Sequence, residues 1–103
     1  MKVVYTKRAE SDLDGIAAYS EVVWGPRQCD LYLGVLRACC EDVLPLRENW
    51  QVVRTPHRNG TPRRPGLYRY HCQHHYLYFR QVSSRRLRIT RILHENTLPE
   101  RHL

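Results

Sequence analysis

An apolar stripe of helical period runs from residue 13 to residue 43 and is broken once, at Gly25-Pro26; it restricts the fold more than any other feature. Leu13, Ile16, Ala17, Ser20, Val23 and Trp24 recur at three- and four-residue steps before the break. Cys29, Tyr32, Leu33, Leu36, Cys40 and Val43 do so after it. That spacing places each set on one face of a helix. Thr6 is an N-cap for the first helix. Gly25 ends it, and Pro26 has no amide hydrogen to leave unpaired, so it suits the first turn of the next. Pro45 stops the second helix near Leu44. Two amphipathic helices joined by so tight a break fold back as an antiparallel hairpin. Their apolar faces then require a further layer.

That layer is β. Val3-Val4-Tyr5 forms a short first strand. Leu67 to Cys72, Tyr76 to Val82 and Leu87 to Leu93 are rich in aromatic and β-branched residues. The turn-length gaps Gln73-His74 and Ser83-Ser84-Arg85 join them as an antiparallel meander. Residues 47 to 65 hold Gly60, Pro56, Pro62 and Pro65 and read as a loop, with Asn59-Gly60-Thr61 as a turn. The expected class is α+β, in the order β-α-α-β-β-β. An N-terminal strand and an antiparallel two-helix hairpin pack on an antiparallel sheet, as one domain over residues 1–103.

The 42% apolar content excludes a disordered chain, and 103 residues suffice for one modest core. The start MKVVYTKRAESD lacks the apolar region of a signal peptide. No run approaches the roughly 18 apolar residues of a membrane span. A cytoplasmic protein without a membrane partner is expected. Cys29, Cys39, Cys40 and Cys72 are irregularly spaced, and two are adjacent, so free thiols are expected rather than a disulfide framework. A net charge of +7 suits an acidic protein, a nucleic acid or an anionic surface, and does not choose among them.

The stretch His71-Cys72-Gln73-His74-His75 is dense in metal-binding side chains. Structural zinc takes four ligands, usually as two pairs far apart in sequence. Here the residues crowd one hairpin turn, and His71 and Cys72, as strand neighbours, point to opposite faces. No metal and no cofactor is expected. A metal-free ribonuclease needs a base, an acid and a cation for the scissile phosphate. Arg91, His94 and Glu95 supply those types at the end of the last strand, although Arg91 and His94 diverge if that strand is regular. Leu31 and Val35 lie opposite the stripe of the second helix. With Tyr19 and Val22 on the first, they are candidate partner contacts.

Four segments carry a resemblance. LRITRILHENTLPERHL (Leu87 to Leu103) resembles the ending of ParE-type toxins of the RelE/ParE superfamily. WGPRQCDLYLGVL (Trp24 to Leu36) is similar to that family's entry to its second helix. RRPGLYRYHCQHHYLYFR (Arg63 to Arg80) resembles its hairpin, and TKRAESDLDGI (Thr6 to Ile16) fits its start. The order is right and nearly the whole chain is covered. His75 matches the histidine that opens the family's middle strand. The resemblance implies the toxin of a type II toxin–antitoxin module. It implies an antitoxin partner, commonly of ribbon-helix-helix type; the +7 charge favours an acidic one, and Tyr19, Val22, Leu31 and Val35 are its candidate contacts. Two activities share this fold: inhibition of DNA gyrase, and ribosome-dependent cleavage of mRNA. Some ribosome-dependent members carry arginine where this chain has Tyr76 and tyrosine where it has Glu95. The gyrase-type reading, without enzymatic chemistry, is therefore favoured over the ribonuclease. Arg91, His94, Glu95, Arg101 and His102 are its expected target contacts.

Overall fold

A computed structural model describes residues 2–53 and 66–97. The elements follow in the order β1 (Lys2–Tyr5), α1 (Lys7–Trp24), α2 (Pro26–Ala38), β2 (Gln51–Val52), β3 (Tyr68–Cys72), β4 (His75–Ser83) and β5 (Arg86–His94). The strands form one sheet in the order β1-β5-β4-β3-β2. Strands β3, β4 and β5 are the expected antiparallel meander. β1 joins it in parallel beside β5, pairing Lys2 with Arg86 and Tyr5 with Ile89, so the complete sheet is mixed. A parallel neighbour needs a long crossover, and the helical hairpin is part of it.

Thr6 starts α1 as expected: its hydroxyl oxygen accepts from the Ala9 N–H at 3.1 Å. The same hydroxyl donates to the Thr90 carbonyl at 3.0 Å, fixing the helix start to β5. Gly25 makes the sharp turn at φ +89°, which a side chain would strain, and Pro26 opens α2. The helices are antiparallel. The Cys29 thiol donates to the Ala17 carbonyl at 3.3 Å near the turn, while Arg37 lies 4.0 Å from Glu10 at the far end.

α2 is shorter than its stripe suggests. It ends at Ala38, and Cys39–Val43 continue as one wider π turn. That turn still buries Cys40, and Leu44 follows, fully buried. Val23 and Trp24 depart from the expected stripe. They are 48% and 66% exposed, because the last turn of α1 rises beside an open groove instead of over the sheet. The segment expected to be all loop contains β2, which pairs Gln51 with Arg69 and Val52 with Tyr68. The predicted turn at Asn59-Gly60-Thr61 lies outside the described residues.

Ala9, Leu13, Leu36, Cys40 and Leu44 meet Leu77, Phe79, Leu87, Ile89 and Ile92 in the main core. Trp50 closes one end against Tyr68 and Phe79, its indole N–H donating to the Leu44 carbonyl. Tyr78, Leu67 and Leu93 form a smaller cluster on the opposite face of the sheet. The register slips between Tyr78 and Phe79, whose partners are Arg91 and Ile89, so Thr90 is an extra residue in β5. The bulge inverts the alternation: Leu87 and Ile89 face the helices before it, and Ile92 does after it.

The cysteine expectation is overturned in part. Cys29 and Cys40 are free and buried, but Cys39 and Cys72 are joined in a disulfide with a Cα–Cα distance of 6.5 Å. The partners are 33 residues apart, and only the packing of the π turn over the end of β3 brings them together. Cross-linking a loop of that length restricts the unfolded chain by roughly 3–4 kcal/mol. Reductant, or Cys39→Ser with Cys72→Ser, is expected to lower unfolding stability by about this amount in chemical denaturation. An unchanged midpoint would show that the link contributes nothing.

Asp12 on α1 makes the other long-range tie. Its carboxylate accepts from Arg91 Nε at 2.8 Å and Nη2 at 3.0 Å, and from the Ile92 N–H at 2.9 Å. The ion pair is mostly buried, with side chains 14% and 15% exposed. Asp12→Ala should therefore cost about 3 kcal/mol, because it leaves a buried guanidinium and a backbone N–H without this partner. Glu10→Ala, breaking a half-exposed pair, should stay within about 0.5 kcal/mol. Urea titration of the two variants tests the contrast.

Candidate functional site

A groove of about 1320 Å³ opens between the helices and one end of the sheet. α1 lines it with Asp12, Tyr19 and Trp24, α2 with Gln28 and Tyr32, and the sheet with Gln73, His74, His75 and His94. The helices form one wall because their last and first turns meet at Gly25. The β3–β4 turn and the end of β5 form the other.

Tyr32 is the joint between the walls. The His74 backbone N–H donates to its hydroxyl at 3.2 Å, and the same hydroxyl shares a 2.6 Å hydrogen bond with His75 Nδ1. Burial, with lesser repulsion from His94 and His74, holds His75 down to a pKa of about 4, so it is neutral at physiological pH. Burial also raises the Tyr32 phenol. The His94 ring stands edge-on to His75 at 5.3 Å, and its Nδ1 accepts from the Asn96 N–H at 3.2 Å.

The crowded stretch of histidines divides by face. Cys72 points inward to its disulfide, and His75 is buried beneath Tyr32. His71 and His74 both engage Glu95, at 2.8 and 3.4 Å. His71, then His74, holds the Glu95 carboxyl below its ordinary value. Turn formation and cross-strand pairing account for these contacts.

Arg91, His94 and Glu95, expected to act together, do not converge. Arg91 reaches across the edge left open beyond β1 and is engaged by Asp12; His94 faces the groove; Glu95 turns back to the β3–β4 hairpin. Arg101 and His102 lie outside the described residues. Tyr19, Val22, Leu31 and Val35 are 67%, 87%, 58% and 40% exposed, on two helices, and Tyr19 also lines the groove. Sequence reasoning assigned no role to Asp12 or to the Tyr32–His75 bond. Tyr32 was readable as a hydroxyl on an otherwise apolar stripe, but its partner lies 43 positions away. Among the described residues, no lysine or arginine lines the groove. It presents aromatic rings, amides, imidazoles and the Asp12 carboxylate.

A short strand, a helical hairpin and a meander closed by the parallel first strand make up a toxin fold found in two solved toxin–antitoxin structures. The chromosomal ParDE system of P. aeruginosa matches with a TM-score of 0.70 at 19% identity, over 91% of this chain and 95% of that one. The RelBE2 toxin–antitoxin complex of Mycobacterium tuberculosis matches with a TM-score of 0.56 at 20% identity, over 91% and 96%. At these identities the likeness is one of fold. No curated protein matches the chain in sequence. The family model for the ParE toxin of the type II toxin–antitoxin system parDE matches residues 3–99, and the chain belongs to that family. No helix among the described residues is long and apolar enough to cross a membrane.

His75 gives the site a pH signature. Unfolded, it titrates near 6.5; folded, near 4. Between those values the unfolded chain binds the extra proton. The contribution of His75 is fully present above pH 6.5 and is lost as pH falls toward 4, by up to about 3 kcal/mol. Unfolding free energies measured across this range should slope upward with pH, and His75→Gln should flatten the slope. An equal slope in the variant would exclude His75 as its source.

Proposed function

We propose that the chain is a growth-inhibiting toxin that acts on DNA gyrase and is silenced in the cytoplasm by an acidic antitoxin of ribbon-helix-helix type. The observation that carries the gyrase reading is the absence of lysine and arginine from the groove among the described residues, together with the engagement of Arg91 by Asp12. A ribonuclease of this fold needs a cation at the scissile phosphate, and the cation nearest in sequence to His94 is bound as part of the scaffold. Membership of the ParE family supports the same reading. The named toxin–antitoxin assemblies of the two structural neighbours support an antitoxin partner. A net charge of +7 favours an acidic one through electrostatic steering.

The antitoxin contact is assigned to Tyr19, Val22, Leu31 and Val35, whose exposure lets them meet a partner without disturbing the core. Leu31→Asp with Val35→Asp should weaken antitoxin binding while leaving the melting temperature nearly unchanged; unaltered affinity would remove these residues from the interface. Target contact is assigned to the end of β5 and the segment beyond it, with His94, Glu95, Arg101 and His102 the candidates; Arg91 is left out because Asp12 engages it. Inducible expression without antitoxin, scored for growth, gyrase supercoiling and mRNA integrity, tests the target. Removing residues 96–103 should abolish growth inhibition and leave a folded domain. His94→Ala should retain most of the toxicity of a gyrase inhibitor, whereas loss of a general acid or base would slow a nuclease by roughly 10²–10⁴-fold. Ribosome-dependent cuts in mRNA that vanish in His94→Ala would replace gyrase with the ribosome.

A further inference from the structure

The strands and helices carry opposite charge. The five strands hold Lys2, Arg69, Arg80, Arg86, Arg88 and Arg91 and no aspartate or glutamate. From Lys7 to Val43, the helical layer holds seven acidic residues against four lysines and arginines. Apart from Arg91, which is held by Asp12, the strand cations collect on the face of the sheet turned away from the helices. Leu87 and Ile89 are buried beneath the helices, so Arg86 and Arg88 between and beside them point outward and are exposed. Their ladder partners add to the patch: Lys2 stands opposite Arg86, and Arg80 opposite Arg88.

Like charges paired directly across a ladder oppose folding. Cations that only discourage edge-to-edge association belong on edge strands. Arg80, Arg86 and Arg88 lie on β4 and β5, which are interior strands. Arg86 and Arg88 make no ion pair among the described residues. A polyanion laid on this face relieves the repulsion.

We propose that the outer face of the sheet, centred on Lys2, Arg80, Arg86 and Arg88, binds the phosphate backbone of double-helical DNA. The aromatic residues of the face favour a duplex over a single strand. The Tyr76 ring is covered by the Arg69 guanidinium at 4.2 Å and flanked by the His71 ring at 4.7 Å, and Tyr78 is buried. The face therefore offers charge and no open stacking platform, and a duplex presents twice the phosphate density of one strand. Discrimination in favour of RNA needs groups that bond the 2′-hydroxyl. Among these four cations the ladder offers Val4, opposite Arg88, and Ser83, opposite Arg86, whose hydroxyl already accepts from the Arg85 N–H at 3.3 Å. This surface is separate from the groove and does not depend on gyrase being the target.

The test is fluorescence anisotropy of the full chain on a labelled DNA duplex of about 20 base pairs, titrated with salt. Wild type should bind at low salt, with affinity falling by a log–log slope of about 0.9 per phosphate contacted. Lys2→Ser with Arg86→Ser and Arg88→Ser should weaken binding at least tenfold and reduce the slope by about 2–3. Lys7→Ser with Arg8→Ser and Arg27→Ser removes the same charge from exposed helical positions and should change affinity less than threefold. Arg86→Lys with Arg88→Lys, which keeps charge and fold, should retain binding. Equal losses in the two serine triples, tighter binding to single-stranded DNA or to an RNA duplex, or no binding at low salt would each overturn the proposal.

Discussion

The carboxylate of Asp12 is the contact on which the architecture turns. β1 is only four residues long and leaves the sheet at Tyr5, opposite Ile89, while β5 continues to His94. Beyond Ile89 this edge of β5 has no strand neighbour among the described residues. An uncovered edge exposes N–H and C=O groups. Thr6 takes the first of them, its N–H donating to the Ile89 carbonyl and its hydroxyl to the Thr90 carbonyl. Asp12, two turns into α1, takes the Ile92 N–H. The start of α1 thus continues the sheet where β1 stops, and the helix axis is fixed against β5 from two points. The groove follows from this. With its first half tied to the edge, α1 carries its last turn away from the sheet, and Tyr19 and Trp24 remain uncovered.

The same contact explains why an arginine beside the groove is not a functional cation there. The bulge at Thr90 sets Arg91 opposite Tyr78, on the outer face, and leaves His94 on the inner one. Two carboxylate oxygens then hold the guanidinium in a fork, a geometry in which arginine is rigid and strongly bonded. The hydrogen bonds to Asp12 raise its affinity for a proton still further, so its charge is permanent and already compensated. A nearby residue of the right chemical type can thus be part of the frame.

What could be read from the sequence is what local periodicity encodes. The 3.6-residue repeat, the Gly25-Pro26 break, the Thr6 cap and the two short β-turns are each settled within a few residues, and the hairpin and meander were legible from them. Trp24 fell on the stripe by spacing yet is exposed, because periodicity gives the face of a helix but not how far the covering sheet extends. The parallel pairing of β1, the Cys39–Cys72 link and the Asp12–Arg91 pair join positions 84, 33 and 79 residues apart. No local pattern marks such partners. The HCQHH stretch is the reverse case. It is dense in metal-binding side chains, yet strand alternation argued against one site, and its members go to a disulfide, a buried hydrogen bond and surface contacts with Glu95.

Charge adds a constraint that neither composition nor fold class states. A net +7 read as a whole suggests a uniformly basic particle, yet the helical layer is acidic and the strands are wholly basic in their ionised residues. The acidic antitoxin proposed above would be drawn first to the sheet side, while the exposed apolar positions assigned to it lie on the helices. One partner that satisfies both must be long enough to wrap from one layer to the other. A partner confined to the helices would meet like charge and depend on apolar contact alone. Raising the salt concentration therefore separates the two arrangements: it slows association with a wrapping chain, whose encounter relies on the basic sheet, and leaves a helix-bound partner nearly indifferent or faster.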